Sequence, residues 1–290
     1  MKQRNIGGMA VSAVGLGGMP MSIEGRPDED RAIATIHAAL DAGVTLIDTA
    51  DAYHRDAHEV GHNESLIAKA LHSYGSSTAD VLVATKGGHL RPGDGSWTIN
   101  GDPEYLKHAA KASARRLGVD AIGLYQYHRP DPQVPYEDSV GAIRDLLDDG
   151  VIRMAGISNA NVDQIALSQD ILGGRLASVQ NQFSPAFHSS HAELELCQER
   201  GIAFLPWSPL GGISHAAQVG QQHPEFSALA SEFGVSPQRL TLAWELALAD
   251  VVIPIPGASR PESIQDSAQA PALELTAAQV RTLTKAVLGV

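Results

Sequence analysis

Short apolar runs alternate along the chain with segments in which apolar residues recur at helical spacing. Residues 30–42, for example, place Ile33, Ile36 and Leu40 on one face of a predicted helix. A single glycine then separates this helix from the apolar run 44–47, since a left-handed residue after a helix is most often glycine. Apolar runs without polar alternation indicate strands buried on both faces, as in a parallel sheet covered by helices.

The alternation predicts the order of the elements. We expect strands, each followed by a helical segment, at residues 13–17, 44–47, 81–84, 122–125, 151–158, 176–179, 202–205 and 251–255. We expect the intervening helices at residues 30–42, 64–71, 103–117, 136–149, 162–172, 192–200 and 237–249. Eight such units in about 250 residues predict a fold of the α/β class, a closed (β/α)8 TIM barrel. A doubly wound open sheet stays as the alternative, although it needs fewer strands and a glycine-rich turn after the first one.

Two segments lie outside this alternation. Residues 1–11 are predicted to form an N-terminal hairpin that covers one end of the barrel. Residues 276–287 place Val280, Leu283 and Val287 on one face and are predicted to form a C-terminal closing helix. Because no linker, solenoid repeat or low-complexity tract interrupts the chain, we expect residues 1–290 to form one domain.

The amino-acid composition limits which kinds of partner the protein is expected to bind. The 290 residues include 33 acids against 21 lysines and arginines, a formal net charge of −12. This balance argues against a nucleic-acid partner, because phosphate binding favours a basic face. A lone cysteine, Cys197, excludes an internal disulfide framework. The apolar runs are too short to span a bilayer and no secretory signal precedes them, so we expect a cytoplasmic protein without a membrane partner.

Polar residues follow the predicted strands at the barrel end where active sites lie. Asp48, Lys86 and His128 come after the second, third and fourth strands, and Tyr53 lies five residues beyond Asp48. A lysine cation beside a tyrosine stabilises the tyrosinate, so we expect Lys86 to lower a phenol pKa that is ordinarily about 10. Tyr53 then becomes a proton donor near neutral pH, and His128 can donate a hydrogen bond to a substrate carbonyl.

The residues around these positions resemble the motifs of a known family. Asp-Thr-Ala-Asp-Ala-Tyr at residues 48–53 resembles the Asp-Thr-Ala-x-x-Tyr signature of the aldo-keto reductases. Further segments resemble that family's motifs in the same order, namely residues 85–86, 127–128, 156–159, 179–182 and 206–212. The resemblance runs from residue 16 to residue 267. It implies a (β/α)8 barrel that reduces a small-molecule aldehyde or ketone with NADPH.

The resemblance also implies roles for individual residues. Tyr53 is expected to protonate the carbonyl oxygen, Lys86 to tune Tyr53, Asp48 to orient Lys86, and His128 to position the carbonyl. The residues expected to hold the nicotinamide carboxamide are Ser158, Asn159 and Gln180. Trp207 stands where many relatives have a tyrosine that stacks on the nicotinamide, and an indole can stack as well. The residues expected along the pyrophosphate path are Ser208, Leu210 and Gly212.

The adenosine end departs from the family's pattern. Many relatives carry a Lys-Ser pair and a later arginine that bind the 2′-phosphate, and residues 257–258 and Ser263 replace them here. Ser259 and Arg260 are expected to supply equivalent contacts, since a guanidinium suits a phosphate. Asp266 matches the place of an acid that lies against adenine. We therefore expect a preference for NADP(H), with NAD(H) possible.

The sequence also indicates which residues line the substrate pocket and whether a metal is bound. We expect residues 87–102 to form a long irregular loop in the pocket wall, with Trp97 as a flat apolar face. Met19 and Phe183 are further candidates, and the mixture suggests a moderately apolar carbonyl compound. Three histidines at a spacing of four, His54, His58 and His62, suggest zinc, but Gly61 interrupts the segment, so we expect no metal.

Two other function classes stay open at this point. The first is a cofactor-binding regulatory module, because potassium-channel β subunits belong to the same family. An intact set of Asp48, Tyr53, Lys86 and His128 argues for catalysis instead. The second is an unrelated barrel hydrolase or isomerase, which predicts no nicotinamide binding.

Overall fold

A computed structural model describes residues 1–288 of the chain, and residues 289 and 290 of the predicted 1–290 domain lie outside the described residues. The strands are β1 (Gln3–Ile6), β2 (Met9–Ser12), β3 (Leu16–Gly17), β4 (Leu46–Asp48), β5 (Leu82–Gly87), β6 (His89–Leu90), β7 (Thr98–Ile99), β8 (Ile122–Tyr127), β9 (Ile152–Ser158), β10 (Leu176–Gln180) and β11 (Ala203–Phe204). The helices are α1 (Glu29–Asp41), α2 (His62–Ser73), α3 (Pro103–Leu117), α4 (Tyr136–Asp148), α5 (Val162–Ile171), α6 (His191–Arg200), α7 (Val219–Gln222), α8 (Pro224–Phe233), α9 (Pro237–Leu248), α10 (Pro261–Ser267) and α11 (Ala277–Leu288).

Seven strands form one curled parallel sheet in the order β11-β10-β9-β8-β5-β4-β3. The predicted eighth strand, residues 251–255, lies between the two edges of this sheet. Ile253 N donates to Phe204 O at 2.8 Å on one side, and Gly15 N donates to Pro254 O at 2.9 Å on the other. Because proline has no N–H, this segment bridges the edges without a continuous ladder. The barrel is therefore closed as predicted, and the open-sheet alternative was wrong.

The barrel interior is filled by large apolar side chains from the strands. Leu46, Leu82 and Leu124 pack there with Ile6 and Val11 of the N-terminal hairpin. The hairpin approaches so closely that a Cβ at Gly7, which has φ +55°, would lie 2.8 Å from Met154 Sδ near the start of β9. The hairpin thus covers one end of the barrel, as predicted, and leaves the carboxyl ends of the strands open for a site.

The closing helix also lies where the sequence predicts it. Leu283 of α11 is buried in the largest core cluster together with Trp244 of α9. Trp244 Nε1 donates a hydrogen bond to Thr284 Oγ1 at 3.0 Å, which ties the two helices together. Along residues 1–288, the length and apolar character needed to cross a membrane are not found together in any helix.

One predicted element differs from the structure. Residues 87–102 were expected to be irregular, but they contain the short antiparallel pair β6–β7, with His89 opposite Ile99. The Arg91 guanidinium stacks on the Trp97 ring at 4.6 Å and donates to His54 O at 2.7 Å. These contacts hold the hairpin against the segment that carries Tyr53, so this part of the wall is ordered.

Candidate active site

A cavity of about 650 Å³ opens at the carboxyl ends of the strands. This volume is in the usual range of about 300–1,000 Å³ for small-molecule sites. Strands β4, β9 and β10 end there at Asp48, Ser158 and Gln180, because a buried parallel strand delivers its last side chain to that end of the barrel. The predicted residues in the cavity wall are Met19, Asp48, Tyr53, Trp97, His128, Ser158, Asn159, Gln180, Trp207, Ser208, Leu210 and Gly212.

The Lys86 ammonium group lies just behind this wall, with no exposed surface. Its Nζ donates to Asp48 Oδ2 at 2.7 Å, to Thr49 O at 2.8 Å and to Tyr53 Oη at 3.1 Å. An ammonium group has three N–H donors, so these contacts satisfy all of them. Lys86 is therefore held in one orientation, with one N–H aimed at the phenol oxygen.

The pKa of Tyr53 in this cluster differs from the sequence-based prediction. Burial acts to lower the pKa of Lys86, but the Asp48 carboxylate and Tyr53 outweigh it and raise that pKa, so the lysine stays charged. Burial raises the pKa of Tyr53, although Lys86 opposes the effect. The predicted net lowering of the tyrosine pKa was wrong, because burial of the phenol, together with the Asp48 charge, outweighs the effect of Lys86. Tyr53 is consequently protonated at neutral pH.

His128 is buried beside Tyr53, with the two rings 5.8 Å apart and nearly perpendicular. Burial lowers the pKa of His128 well below its usual range, and Lys86, His89 and Arg129 act in the same direction. The imidazole is therefore neutral at pH 7. A neutral imidazole keeps one N–H donor, which suits it to bind a carbonyl oxygen without adding a charge.

Four predicted cofactor residues are linked to this cluster by hydrogen bonds. Gln180 Nε2 donates to Asp48 Oδ1 at 2.8 Å, and Ser158 Oγ donates to the Gln180 carbonyl at 2.7 Å. Asn159 Nδ2 donates to the backbone carbonyl of His128 at 3.0 Å, and Trp207 Nε1 donates to Asn159 Oδ1 at 3.2 Å. The side-chain amide of Asn159 thus holds the Trp207 indole in the cavity wall.

Backbone strain marks the same wall. Within residues 1–288, Asn159 (φ 57°) and Ser208 (φ 52°) are the two non-glycine residues with positive φ. Such conformations are disfavoured for residues with a side chain and gather at binding sites. Gly17, also in the wall, lies so close to Ile255 that a Cβ would come 2.8 Å from its carbonyl oxygen. The flat indole, the side-chain amides and the bare backbone of Gly17 in the cavity wall together fit a dinucleotide.

The predicted residues Ser259, Arg260, Asp266 and Phe183 lie outside the cavity wall. Arg260 is exposed, and its Nε donates to Ser263 Oγ at 2.7 Å. Ser259, beside it, is partly buried. Asp266 is bound by Arg239 Nη2 at 2.5 Å.

Phe183 was predicted to line the substrate pocket, but the structure places it in the core. Its side chain has no exposed surface and its ring lies 6.2 Å from that of Phe204 and 6.0 Å from that of Trp244. An apolar residue after a strand packs equally well into a core or a pocket, so sequence alone does not separate the two.

The wall also contains residues that sequence reasoning did not assign. Arg129 follows His128 directly and lines the cavity, together with the apolar residues Ile23 and Ile213. The position of Arg129, two residues beyond the end of β8, was the available signal. His89 lies against both His128 and Trp97, and burial together with Arg129 and Lys86 lowers the pKa of His89 to about 4.

The histidine cluster shows no arrangement for a metal. His54 Nδ1 lies 2.7 Å from the backbone oxygen of Asp56, and His62 Nδ1 lies 2.9 Å from Ser22 Oγ. Across the part of the chain that the structure describes, no group of three or more His, Cys, Asp or Glu side chains is placed to hold a metal ion.

Comparison with known proteins gives consistent matches over nearly the whole chain. The model of the aldo/keto reductase family matches residues 13–287. A 6-dehydroglucose reductase of Novosphingobium aromaticivorans is 33% identical over 277 residues, covering 93% of this chain and 89% of that protein. An uncharacterized oxidoreductase of Schizosaccharomyces pombe is 32% identical over 277 residues, covering 93% and 85%.

Solved structures of the same fold cover both chains almost completely. The holo form of an aldo-keto reductase from Bacillus halodurans aligns with a TM-score of 0.79 and 27% identity, covering 99% of this chain and 96% of that one. An aldo/keto reductase from Klebsiella pneumoniae in complex with NADP and acetate aligns with a TM-score of 0.81 and 24% identity, covering 99% and 95%.

Proposed function

We propose that this chain, which belongs to the aldo/keto reductase family, reduces a small-molecule aldehyde or ketone to an alcohol with NADPH, Tyr53 being the proton donor. The observation that carries the proposal is the contact of Lys86 Nζ with Asp48 and Tyr53 behind the cavity wall. His128 lines the same cavity. A proton donor, a fixed cation and a neutral hydrogen-bond donor thus converge on one space, as reduction of a carbonyl requires.

The four side chains divide the proton chemistry between them. When bound, NADPH supplies a hydride to the carbonyl carbon. The neutral His128 donates a hydrogen bond to the carbonyl oxygen and fixes its direction. Tyr53 gives its proton to that oxygen as negative charge develops there, and Lys86 stabilises the phenolate that remains. Asp48 keeps Lys86 charged and oriented.

The raised pKa of Tyr53 is compatible with this role. A phenol with a high pKa holds its proton in the resting site and releases it only to a stronger base. A nascent alkoxide is such a base, whereas a ground-state carbonyl oxygen is not. The donor is therefore selective for the transition state, and Lys86 limits how high the phenol pKa rises.

The proposed position of the nicotinamide is based on the part of the cavity wall that contains Trp207. In the proposal the indole of Trp207 packs on the nicotinamide ring, and Ser158, Asn159 and Gln180 bind its carboxamide. Gln180 is suited to this because Asp48 accepts from its amide N–H, which leaves the Gln180 side-chain oxygen to accept a further bond. The backbone N–H groups of Ser208, Leu210 and Gly212 are proposed to face the pyrophosphate, since loop amides can form an anion site.

The preference for NADP(H) over NAD(H) is proposed for the adenosine end. Ser259 and the exposed Arg260 stand two to three residues beyond Gly257 in the cavity wall. We propose that they bind the 2′-phosphate and that Asp266, whose carboxylate is bound by the Arg239 guanidinium, lies against the adenine. Residues 1–290 act as one domain in this proposal.

The proposed activity is tested by turnover of 4-nitrobenzaldehyde with NADPH, followed by absorbance of the reduced nicotinamide. Continuous oxidation of NADPH with formation of the alcohol is expected, and slower turnover with NADH. The regulatory-module alternative is not favoured, because all four reactive side chains are present and in contact. It predicts NADPH binding without turnover of any member of a panel of aldehydes and ketones, and that result contradicts the proposed activity.

The Arg260→Ala variant is expected to bind NADPH about tenfold more weakly, since one charge-assisted contact to a phosphate is lost. NADH affinity is expected to stay within about twofold, because NADH carries no 2′-phosphate. Quenching of tryptophan fluorescence gives both dissociation constants. Arg281→Ala, at an exposed arginine of α11, is the matched control and leaves both constants unchanged. Equal affinities of the wild-type protein for NADPH and NADH contradict the preference.

A further inference from the structure

The cavity carries a positive charge that the proposed reaction does not use. Arg129 directly follows His128 and lies two residues beyond the end of β8. It is half-buried and lines the cavity together with His128, His89 and Trp97. The Arg129 charge acts on both imidazoles, since it adds to burial in lowering the pKa of His89 and of His128. Arg129 therefore brings a positive charge to the wall of the space in which a carbonyl substrate is proposed to bind.

No acidic side chain among residues 1–288 forms an ion pair with Arg129, and its Nε is buried without a hydrogen-bond partner. Asp48 is the acidic residue of the described cavity wall, and it is already bound by Lys86 and Gln180. Arg91, in the neighbouring hairpin, also has a buried Nε without a partner, but its terminal nitrogens bind Glu24 at 2.6 Å and His54 O at 2.7 Å. A partly desolvated guanidinium with a free donor is costly unless an anion completes it.

We propose that Arg129 selects carbonyl substrates that carry an anionic group, such as aldehyde acids and keto acids; this rests on the reductase function proposed above. A guanidinium presents a planar fork of donors that matches a carboxylate, which explains why an arginine suits the position. His89 and His128 are neutral at pH 7 and leave Arg129 as the net charge of the substrate space. The carboxylate is then held by Arg129, while the carbonyl is directed at His128 and Tyr53.

The surroundings strengthen such a contact. Met19, Ile23, Trp97 and Ile99 form an apolar wall that covers the carbon skeleton and reduces water around the ion pair. Charges interact more strongly where water is excluded. The chain as a whole has a formal net charge of −12 and repels anions at long range, so recognition of an anionic substrate needs a local cation.

A matched pair of substrates tests this proposal. 4-Carboxybenzaldehyde and 4-nitrobenzaldehyde have similar shapes and differ in charge, so the ratio of their kcat/KM values isolates recognition of the anion. We expect Arg129→Gln to lower this ratio about 30-fold, as for loss of a charge-assisted contact. Arg129→Lys keeps the charge without the fork and is expected to lower the ratio by less. Arg153→Gln removes the same formal charge from an exposed site on β9 and leaves the ratio unchanged.

A binding measurement gives a second readout that does not depend on turnover. Calorimetry with 4-methylbenzoate, which keeps the carboxylate but has no hydroxyl group to oxidise, in the presence of NADP⁺, is expected to show about 30-fold weaker binding to Arg129→Gln than to the wild type. If Arg129→Gln does not fold, the kcat/KM ratio and the affinity of Arg129→Lys replace it. An unchanged ratio together with unchanged affinity overturns the proposal. A wild type that reduces neither aldehyde contradicts the reductase function, whereas reduction of both with an unaffected ratio contradicts only the role of Arg129.

Discussion

The Tyr53→Phe variant is expected to lose about three orders of magnitude in kcat, the usual range for removal of a general acid being about 10²–10⁴. Tyr53 is 7% exposed, and its Oη lies 3.1 Å from Lys86 Nζ. Phenylalanine keeps the ring and its contact with His128, so the cavity retains its shape. NADPH affinity is expected to stay within about twofold of the wild type, because the hydroxyl acts only as charge develops on the carbonyl oxygen.

Tyr136→Phe is the matched control for this variant. It also removes one phenol oxygen from a partly buried tyrosine, whose Oη lies 2.9 Å from Ser168 Oγ, but the residue does not line the cavity. Steady-state kinetics with 4-nitrobenzaldehyde and fluorescence titration with NADPH measure the two quantities for both variants. The control is expected to keep its kcat. A Tyr53→Phe enzyme with a kcat within about tenfold of the wild type contradicts the proton-donor role.

The sequence predicts the framework of the site because strand ends are governed by burial. The apolar runs before Asp48, Lys86 and Gln180 have to enter the barrel wall, and the next polar side chain then emerges at one common end. Segment 251–255 shows the limit of that reasoning. Its apolar character predicts a strand, and it does join the sheet edges, but Pro254 and Pro256 prevent a regular ladder.

Properties that depend on the tertiary surroundings of a side chain could not be predicted from the sequence. The pKa of Tyr53 is set by burial, by Lys86 and by Asp48 together, and only the structure gives their balance. The position of Phe183 depended on which apolar surface it packs against, here the rings of Phe204 and Trp244. Whether Arg129 forms an ion pair could not be inferred either, because this depends on which acidic side chains lie within reach of its guanidinium.

The Lys86→Met variant is expected to lose activity and stability together. Lys86 has no exposed surface and Asp48 is 3% exposed, so the substitution leaves a carboxylate buried without its counter-ion. Removing one partner of such a pair costs about 3–5 kcal/mol in the free energy of unfolding. The kcat is expected to fall at least about 100-fold, since the phenolate that forms on Tyr53 loses its cation. Urea denaturation and steady-state kinetics measure the two losses.

The double variant Asp48→Asn/Lys86→Met separates the two effects. It removes both charges, and the introduced asparagine retains a side-chain oxygen to accept from Gln180 Nε2. Stability is expected to return to within about 1–2 kcal/mol of the wild type, because replacing a whole buried pair is often close to neutral. Activity is expected to stay lost, because the cation beside Tyr53 is still absent. A double variant as unstable as Lys86→Met shows that the unpaired carboxylate is not the cause, and one with restored kcat shows that Tyr53 works without the ammonium group.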